Sequence, residues 1–591
     1  MNYRNRKIVS RPEVRDIGKD CPPGLMPIQS ELMRRLFWYR GIRDKQELDY
    51  SLTNLLSPEG LHNRQAATEI LSRAIIEDSR IVIVGDYDVD GATATTLGIR
   101  VLNAFGARDV RYIVPDRFKH GYGLSQEIAE EALEQEPELV VTVDNGISSI
   151  EGVKTLKNQG VRVLITDHHL PGECLPEADA ILNPNQKGCQ FESKNLAGVG
   201  VMFYLLIMVR RALIENGWFE ASGLKPPNLA NYLDLVALGT VADVVPLDRN
   251  NRILVSQGLS RIRAGQCCRG ILALLEISRR KPEEAVSMDM AFAVAPRLNA
   301  AGRLDNITIG IECLLADSDE QARDYAIRLD QINRKRKDIE KSMKEDAMKI
   351  MGDLSPADFI GSNNDPEIMQ RICLYDARFH QGLNGLIASR MKDLTGLPVV
   401  VFSQLEDGSL TGSARSIDGL HIRDLLDRMA CRNPGLIIRF GGHAMAAGLT
   451  IDRERFDHFR AAYLEQVKAY MNEHGDVETI ETDGMLHADE INLENAQSIA
   501  DVTTWGKSFP MPTFFGKFYV REARVVGNHH LKLQLAVKNL KTRFDAIVFN
   551  AVREGEKAPP LKHIEAVYRL EVNEYRDRRR LQLLIEDFTP V

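Results

Sequence analysis

Four short apolar runs, IVIV (81–84), VRYIV (110–114), LVVTV (139–143) and VRVLIT (161–166), alternate with helix-like stretches such as ATATTLGIRVLNAF and SQEIAEEALEQ. No other feature restricts the possible folds as tightly. Runs this short and apolar suit strands buried on both faces, which in practice means a parallel sheet covered by helices. The alternation predicts a doubly wound α/β unit with right-handed crossovers. Apolar helical stretches around 199–215 and 229–239 follow it.

Beyond that unit the period changes. Ala322, Tyr325, Leu329, Ile332, Ile339, Met343 and Ile350 recur at helical spacings, with charged residues between them. The stretch Asp317 to Ile350 therefore predicts one amphipathic helix on the order of 50 Å long, joining two globular halves. Its RKRKD run (334–338) is read as a solvated face. A second α/β unit is expected over 355–470, and the chain then turns strand-like. In LKLQLAV (531–537), Leu531, Leu533, Leu535 and Val537 alternate with more polar residues, and FDAIVF, AVYRLEV and LQLLIEDF continue the pattern. A small OB-like β-barrel follows from this. Phe514, Phe515, Phe518 and Tyr519 lie among Lys517, Arg521 and Arg524, a mixture that suits either base stacking or core packing.

The chain has 591 residues, too many for one core, and a formal net charge of −8. A protein gripping nucleic acid by counter-ion release alone is usually basic, so any contact with DNA must use local basic patches, bound cations and stacking surfaces. The eight cysteines include no C-x-x-C pair, and the adjacent Cys267 and Cys268 suit neither a zinc knuckle nor a disulfide framework. MNYRNRKIVSRPEVRD has no apolar signal core, and the longest apolar run, Val201 to Val209, is far short of the roughly 20 residues needed to span a bilayer. A reducing cytoplasm, no membrane and a monomer are the expectations.

The chemistry gathers at the strand ends. Gly85-Asp86-Tyr87-Asp88-Val89-Asp90-Gly91 follows the first run, Asp144 the third, and Asp167-His168-His169 the fourth. D-x-D-x-D-G fits the first six positions of an EF-hand, but Leu97 stands where the bidentate Glu belongs, and a strand precedes the loop. A lone strand-end Asp is usually a cap or turn residue. Several arriving with histidines at the carboxyl edge of a parallel sheet point instead to a cation. Asp and His without Cys favour Mn²⁺ or Mg²⁺ over structural zinc. The number of carboxylates suggests two ions bridged by a shared Asp, an arrangement that hydrolyses phosphodiesters.

GDYDVDG, VPDRFKHGYGLS, VDNG and TDHH resemble the successive motifs of the DHH phosphoesterases. With LGTVADVVPL (238–247), PRLNAAGR (296–303), GSARS (412–416) and FGGHAMAAGL (440–449), the set resembles the RecJ-type single-strand exonucleases from about residue 80 to 465. Joined to the periodicities above, the resemblance gives the expected organisation: an N-terminal helical arm (1–75), a DHH catalytic domain (76–316), a connecting helix (317–352), a DHHA1-like substrate domain (353–470) and an OB-like nucleic-acid-binding domain (471–591).

It further implies Asp88, Asp90, Asp144, His168 and Asp243 as ligands, with Asp144 the bridge and Asp86 a ligand or a support behind the ligands. Asp234 is a weaker rival to Asp243, with capping or helix-face solvation as its alternative role. His169 would face the scissile phosphate, so that Asp90, Asp144, His168 and His169 form the catalytic group. Some family members carry a histidine where this chain has Val84, which implies that one metal binds more weakly or keeps an extra water. Arg117 would meet a phosphate near the metals, and Arg303, Ser413 and Arg415 would capture a terminal 5′ phosphate, a task suited to guanidinium forks. Gly441 and Gly442, beside His443, would let backbone amides approach a phosphate, and His380 is either part of the second unit's substrate surface or structural.

The implied activity is processive 5′→3′ hydrolysis of single-stranded DNA to mononucleotides in repair and recombination, with single-strand-binding protein and a helicase as further partners. Two rival readings fit the same motifs: a DHH enzyme of short oligonucleotides or cyclic dinucleotides, and a replication scaffold that lost the chemistry. The long arm and barrel speak against the first, and the intact motif carboxylates against the second.

Overall fold

The computed structural model describes residues 7–10, 21–117, 123–351, 372–474, 479–527, 529–537, 542–552, 555–575 and 578–591. Part of the VPDRFKHGYGLS motif (118–122) and the start of the second unit (352–371) lie outside them.

The N-terminal arm holds a strand, β1 (Lys7–Ser10), as well as helices α1 (Glu31–Tyr39) and α2 (Arg64–Ile76). Ser30 caps α1 by accepting a hydrogen bond from the Met33 N–H. The strands read from the sequence follow: β2 (Ile81–Val84), β3 (Val110–Ile113), β4 (Leu139–Val143) and β5 (Arg162–Thr166), with a short β6 (Ala180–Leu182) at the edge. All pair in parallel, in the order β3-β2-β4-β5-β6. Every residue of β2 and β4 is buried, which is why these segments are apolar throughout. The chain runs outward from β2 to β3, then crosses to β4 on the other side of β2. The sheet therefore opens at the carboxyl ends of β2 and β4, where an open α/β sheet binds its ligand. Helices α3 (Val89–Phe105), α4 (Gln126–Glu134) and α5 (Ile150–Asn158) make the crossovers. The buried helices α6 (Gly198–Glu215) and α8 (Leu233–Ala242), with the short α7 (Trp218–Ser222) between them, complete the cover.

The long helix runs from Asp319 to Met351. Ala322, Ala326 and Leu329 of its first half sit in the core of the first unit, while Met343 and Ala347 belong to the core of the second. One rigid rod thus enters two cores. Ile350, assigned to its apolar stripe, is 41% exposed because the second core ends before it.

The second unit is a mixed sheet, β7 (Cys373–Tyr375), β8 (Val399–Gln404), β9 (Leu410–Arg415), β10 (Arg439–Gly442) and β11 (Ala446–Ile451), in the order β10-β11-β9-β8-β7. A strand β12 (Thr479–Thr482) pairs in parallel with β1. The last five strands, β13 (Phe514–Val526), β14 (His530–Ala536), β15 (Arg543–Val548), β16 (His563–Tyr575) and β17 (Arg578–Pro590), close into a barrel. Leu531, Leu533 and Leu535 fill it, as their alternation requires. Phe514 and Phe518 are buried there too, so core packing takes these two rings, while Phe515 and Tyr519 are half-buried. The barrel unit is welded to the rest: Arg40 makes a bidentate pair with Asp483 at 2.9 Å, and Phe37, Trp505 and Phe509 stack on one another. Among the described residues, no helix is long and apolar enough to cross a membrane.

Candidate metal centre

After β2 the chain turns directly into α3, and the turn carries three carboxylates. Asp88 is the N-cap: its Oδ1 accepts from the N–H groups of Asp90 (2.9 Å) and Gly91 (3.2 Å). The cap does not exclude Asp88 as a metal ligand, since a carboxylate has lone pairs for both tasks. Gly91 is obligatory, because a Cβ would lie 2.4 Å from the Asp86 carbonyl oxygen. Asp86 is buried, and its Oδ1 has no hydrogen-bond partner among the described residues. Asp90 is sealed in, and both its oxygens accept backbone N–H groups, from Gly198 at 2.6 Å and Val199 at 2.9 Å.

Asp144 follows β4 with φ 63°, a left-handed conformation that costs a non-glycine residue roughly 1 kcal/mol or more and aims its carboxylate back across the sheet edge. Asn145 braces this turn by donating to the carbonyls of Val84 (3.0 Å) and Val143 (2.9 Å). Asp243 caps the end of α8, and the next residue, Val244, is also left-handed (φ 57°), a rare state for a β-branched residue.

The three strand-end segments meet. His168 Nε2 lies 3.1 Å from Asp144 Oδ1, 3.5 Å from Asp243 Oδ2 and 3.9 Å from Asp90 Oδ2. Three triads have ligand atoms within 4.8 Å of one another: Asp86–Asp88–Asp144, Asp90–His168–Asp243 and Asp144–His168–His169. Asp144 is common to two of them, as a bridge must be. Burial, and then repulsion from neighbouring carboxylates, push Asp86, Asp144 and Asp243 well above the usual carboxylate range and Asp90 up to about 7. Burial followed by the charge of His169 pushes His168 down to about 4, leaving the neutral imidazole that ligation needs. A crowd of buried acids with an orphaned oxygen and a neutral histidine is what a divalent-ion site looks like without its cations. The donor set fits Mn²⁺ or Mg²⁺.

Asp167 has a different task. Its Oδ1 accepts from the backbone N–H groups of His168 (2.7 Å) and His169 (3.0 Å) and from His169 Nδ1 (2.8 Å), and its Oδ2 accepts from the Ile147 N–H (2.9 Å). Burial works against the charge of His169, but the bond to Asp167 wins and raises it to about 9. His169 is therefore an imidazolium at neutral pH. Asp234 is remote from the cluster; it is buried near the start of α8 and accepts the Cys268 N–H at 2.6 Å, a fastening role.

Beside the carboxylates a cavity of about 380 Å³ opens between the two α/β units, lined by Tyr87, Arg117, Arg303, Ser413, Arg415 and Gly442 among others. Among the described residues none of these arginines forms a salt bridge. Burial, then the proximity of Arg117 and Arg415, lowers Arg303 to about 10, so the cavity is short of negative charge. The Arg117 guanidinium stacks 4.0 Å over the Tyr87 ring, and Arg303 donates to the Gly382 carbonyl at 3.4 Å. His380 Nδ1 accepts the Gly382 N–H (3.2 Å) and so helps to shape that anchor. His443 crosses from the second unit to stack on His169, with ring centroids 6.2 Å apart. Gly442, at φ 145°, permits the β10–β11 hairpin, since a Cβ would lie 2.4 Å from the Ala446 carbonyl oxygen. At Gly441 no described protein atom lies within 4 Å of where a Cβ would be, so no contact within the protein requires glycine there. A larger cavity, about 810 Å³ near Arg439 and Arg453, holds acidic Asp407, Asp452 and Glu454 as well and has no such excess of cations.

No role could be read from the sequence for Tyr87, Asn145 or the Gly198–Val199 amides, and Asp167 was legible only as a member of the strand-end cluster. Tyr87, Asp167 and Asn145 stand inside quoted motifs; the amides are brought to the site by the fold alone.

Comparison with known proteins agrees in each unit. Residues 80–240 match the DHH family N-terminal domain, 368–469 the DHHA1 domain and 482–587 the RecJ OB domain. The chain is 46% identical over 588 residues to the single-stranded-DNA-specific exonuclease RecJ of Haemophilus influenzae, covering 99% of this chain and 100% of that one. The Mn²⁺ complex of RecJ from Thermus thermophilus superposes with a TM-score of 0.78 at 29% identity, covering 99% of this chain and 79% of that one. Its Mg²⁺ complex gives 0.73 at 27% identity, covering 99% and 78%.

Proposed function

Because the chain belongs to the RecJ exonuclease family, we propose that it degrades single-stranded DNA by metal-dependent phosphodiester hydrolysis, from the 5′ end, releasing mononucleotides. The observation that carries the polarity is the arginine-lined cavity next to the carboxylate cluster, close enough for Asp88 to act on the charge of Arg303. Asp86, Asp88, Asp90, Asp144, His168 and Asp243 would hold two Mn²⁺ or Mg²⁺ ions, which when bound supply an activated water and neutralise charge on the leaving oxygen.

The remaining work falls to the protein. Arg117, Arg303 and Arg415, with the Ser413 hydroxyl, take a terminal 5′ phosphate through charge-assisted hydrogen bonds, placing the next phosphodiester over the carboxylates. His169, held charged by Asp167, donates from Nε2 to a non-bridging phosphate oxygen. His443 closes the cleft from the other side. Single-strand preference then follows from a cleft between the two α/β units that is too narrow for a duplex. The barrel unit then holds the trailing strand. The five-part division set out above is the functional division on this reading, supported by where the three family models match. A role in repair and recombination, work as a monomer in the cytoplasm, and association with single-strand-binding protein and a helicase belong to the same reading.

Digestion of 5′- and 3′-labelled single strands with Mn²⁺, Mg²⁺ or EDTA, alongside Asp144→Ala, tests it. Early release of the 5′ label only, abolished by EDTA and by the substitution, is expected. Early 3′ release would reverse the polarity, and activity in EDTA would remove the metals from the reaction.

A further inference from the structure

The turn that opens α6 touches three of the residues assigned to the metals, although no acid or histidine stands in it. The Gly198 and Val199 N–H groups donate to the two oxygens of Asp90, at 2.6 and 2.9 Å. The Leu196 backbone hydrogen-bonds the His168 ring. His168 Nε2 faces Asp144 Oδ1 at 3.1 Å and Asp243 Oδ2 at 3.5 Å. Asp144 packs against the same turn so closely that a Cβ on Gly198 would lie 2.5 Å from its Cβ and 2.8 Å from its Cα. Backbone atoms cannot give way as a flexible side-chain tip can, so any side chain at 198 must move Asp144, the start of α6, or both.

We propose that the Leu196–Val199 turn is a backbone clamp that spaces Asp90, Asp144 and His168 for divalent-metal binding, with Gly198 as its positioning residue. The glycine is required for room and not for conformation, since Gly198 does not lie in the left-handed region. The clamp makes the geometry of the site depend on the seating of a buried, apolar helix. A second glycine supports it from α8: at Gly239 a Cβ would come within 3.0 Å of Asp90 Oδ1 and 2.3 Å of Thr93 Oγ1. Asp90 is thus boxed between two helices at positions where neither carries a side chain.

The inference rests on the metal reading, so its test reads metal binding and not digestion. Mn²⁺ affinity is measured calorimetrically on the full chain for wild type, Gly198→Ala and Gly200→Ala, with circular dichroism to confirm folding. Gly200 lies on the same helix, but its added Cβ would meet only the Leu196 side chain, at 3.3 Å and beyond. Supports behind metal ligands are worth about 10–100-fold in affinity, so G198A is expected to lose at least tenfold and G200A less than twofold. Equal binding by folded G198A and wild type, or an equal loss in G200A, would overturn the clamp. Wild type that binds no Mn²⁺ would overturn the metal reading and the clamp with it. Should G198A not fold, hydrogen exchange of residues 197–201 in Asp90→Ala decides. Faster exchange than wild type in that segment is expected, and unchanged exchange overturns the proposal.

Discussion

At the scale of single residues, the metal-free site opposes its own ionisation, and this has a measurable sign. Asp90 is raised to about 7 by burial and neighbouring acids. Between about pH 4 and 7 the unfolded chain has lost that proton and the folded one keeps it, so metal-free stability falls as pH rises through this window. Cations must displace the proton, so Mn²⁺ binding tightens over the same interval. The increase in Tm produced by saturating Mn²⁺ is expected to be larger at pH 8 than at pH 6; an equal or inverted increase would count against the cluster as ligand set. Arg303 tests the neighbouring cavity. Charge-assisted hydrogen bonds are worth about 1.5–3 kcal/mol each, so Arg303→Ala should raise KM for a 5′-phosphorylated strand roughly 10–100-fold and erase its advantage over a 5′-hydroxyl strand. Lysine should not restore it, because one ammonium cannot replace a guanidinium fork. Asp167→Asn keeps the shape of the carboxylate and removes its charge. A fall of about 10–100-fold in kcat is expected from the loss of a charged, oriented His169.

Among the elements, the long helix decides how the halves of the site meet. Its N-terminal half is anchored in one core and its C-terminal half in the other, so the His169–His443 stacking is set by the stiffness of a single rod. Lys337 and Lys341 are exposed on it. Replacing both by glycine costs about 1 kcal/mol each in helix stability. Digestion should suffer more than that cost implies, with KM rising while the fold persists by circular dichroism; an unchanged KM would show the units to be fixed by other contacts. This helix was legible because its period persists over many turns, and β2, β4 and β5 because apolar runs ending in Asp admit few other readings. β1 was not legible: its partner β12 lies far along the chain, and four residues of KIVS carry no pattern of their own. Phe514 and Phe518 were ambiguous for a related reason. Alternation tells which residues share a face, but only the closed barrel tells that this face is the inside. The Asp90 amides escaped entirely, since backbone donors leave no mark in a sequence.

For the whole molecule, the welding of barrel to catalytic unit determines which experiments are clean. Truncating the chain after about residue 475 would separate the trailing-strand surface from the hydrolytic centre only if the two units were independent. Here truncation would strip Trp505 and Phe509 from Phe37, leave Arg40 without Asp483 and remove the Lys507 carbonyl that accepts the Leu247 N–H at 2.8 Å, four residues beyond Asp243. Lost activity would then report unfolding. Surface charge offers a better probe. Lys532, Arg578 and Arg580 line a cavity of about 650 Å³ on the barrel, and both arginines are exposed, so their substitution leaves the core intact. If this face tracks the phosphates of a long strand, each lost contact lowers the slope of log affinity against log salt by about 0.7 for single strands. Arg578→Glu with Arg580→Glu should therefore weaken binding of long oligonucleotides, flatten its salt dependence by more than one unit and spare hydrolysis of a 5′-phosphorylated dinucleotide. Dinucleotide hydrolysis falling in parallel would mean the barrel reaches the metal centre itself, and an unchanged salt slope would place the trailing strand on another face.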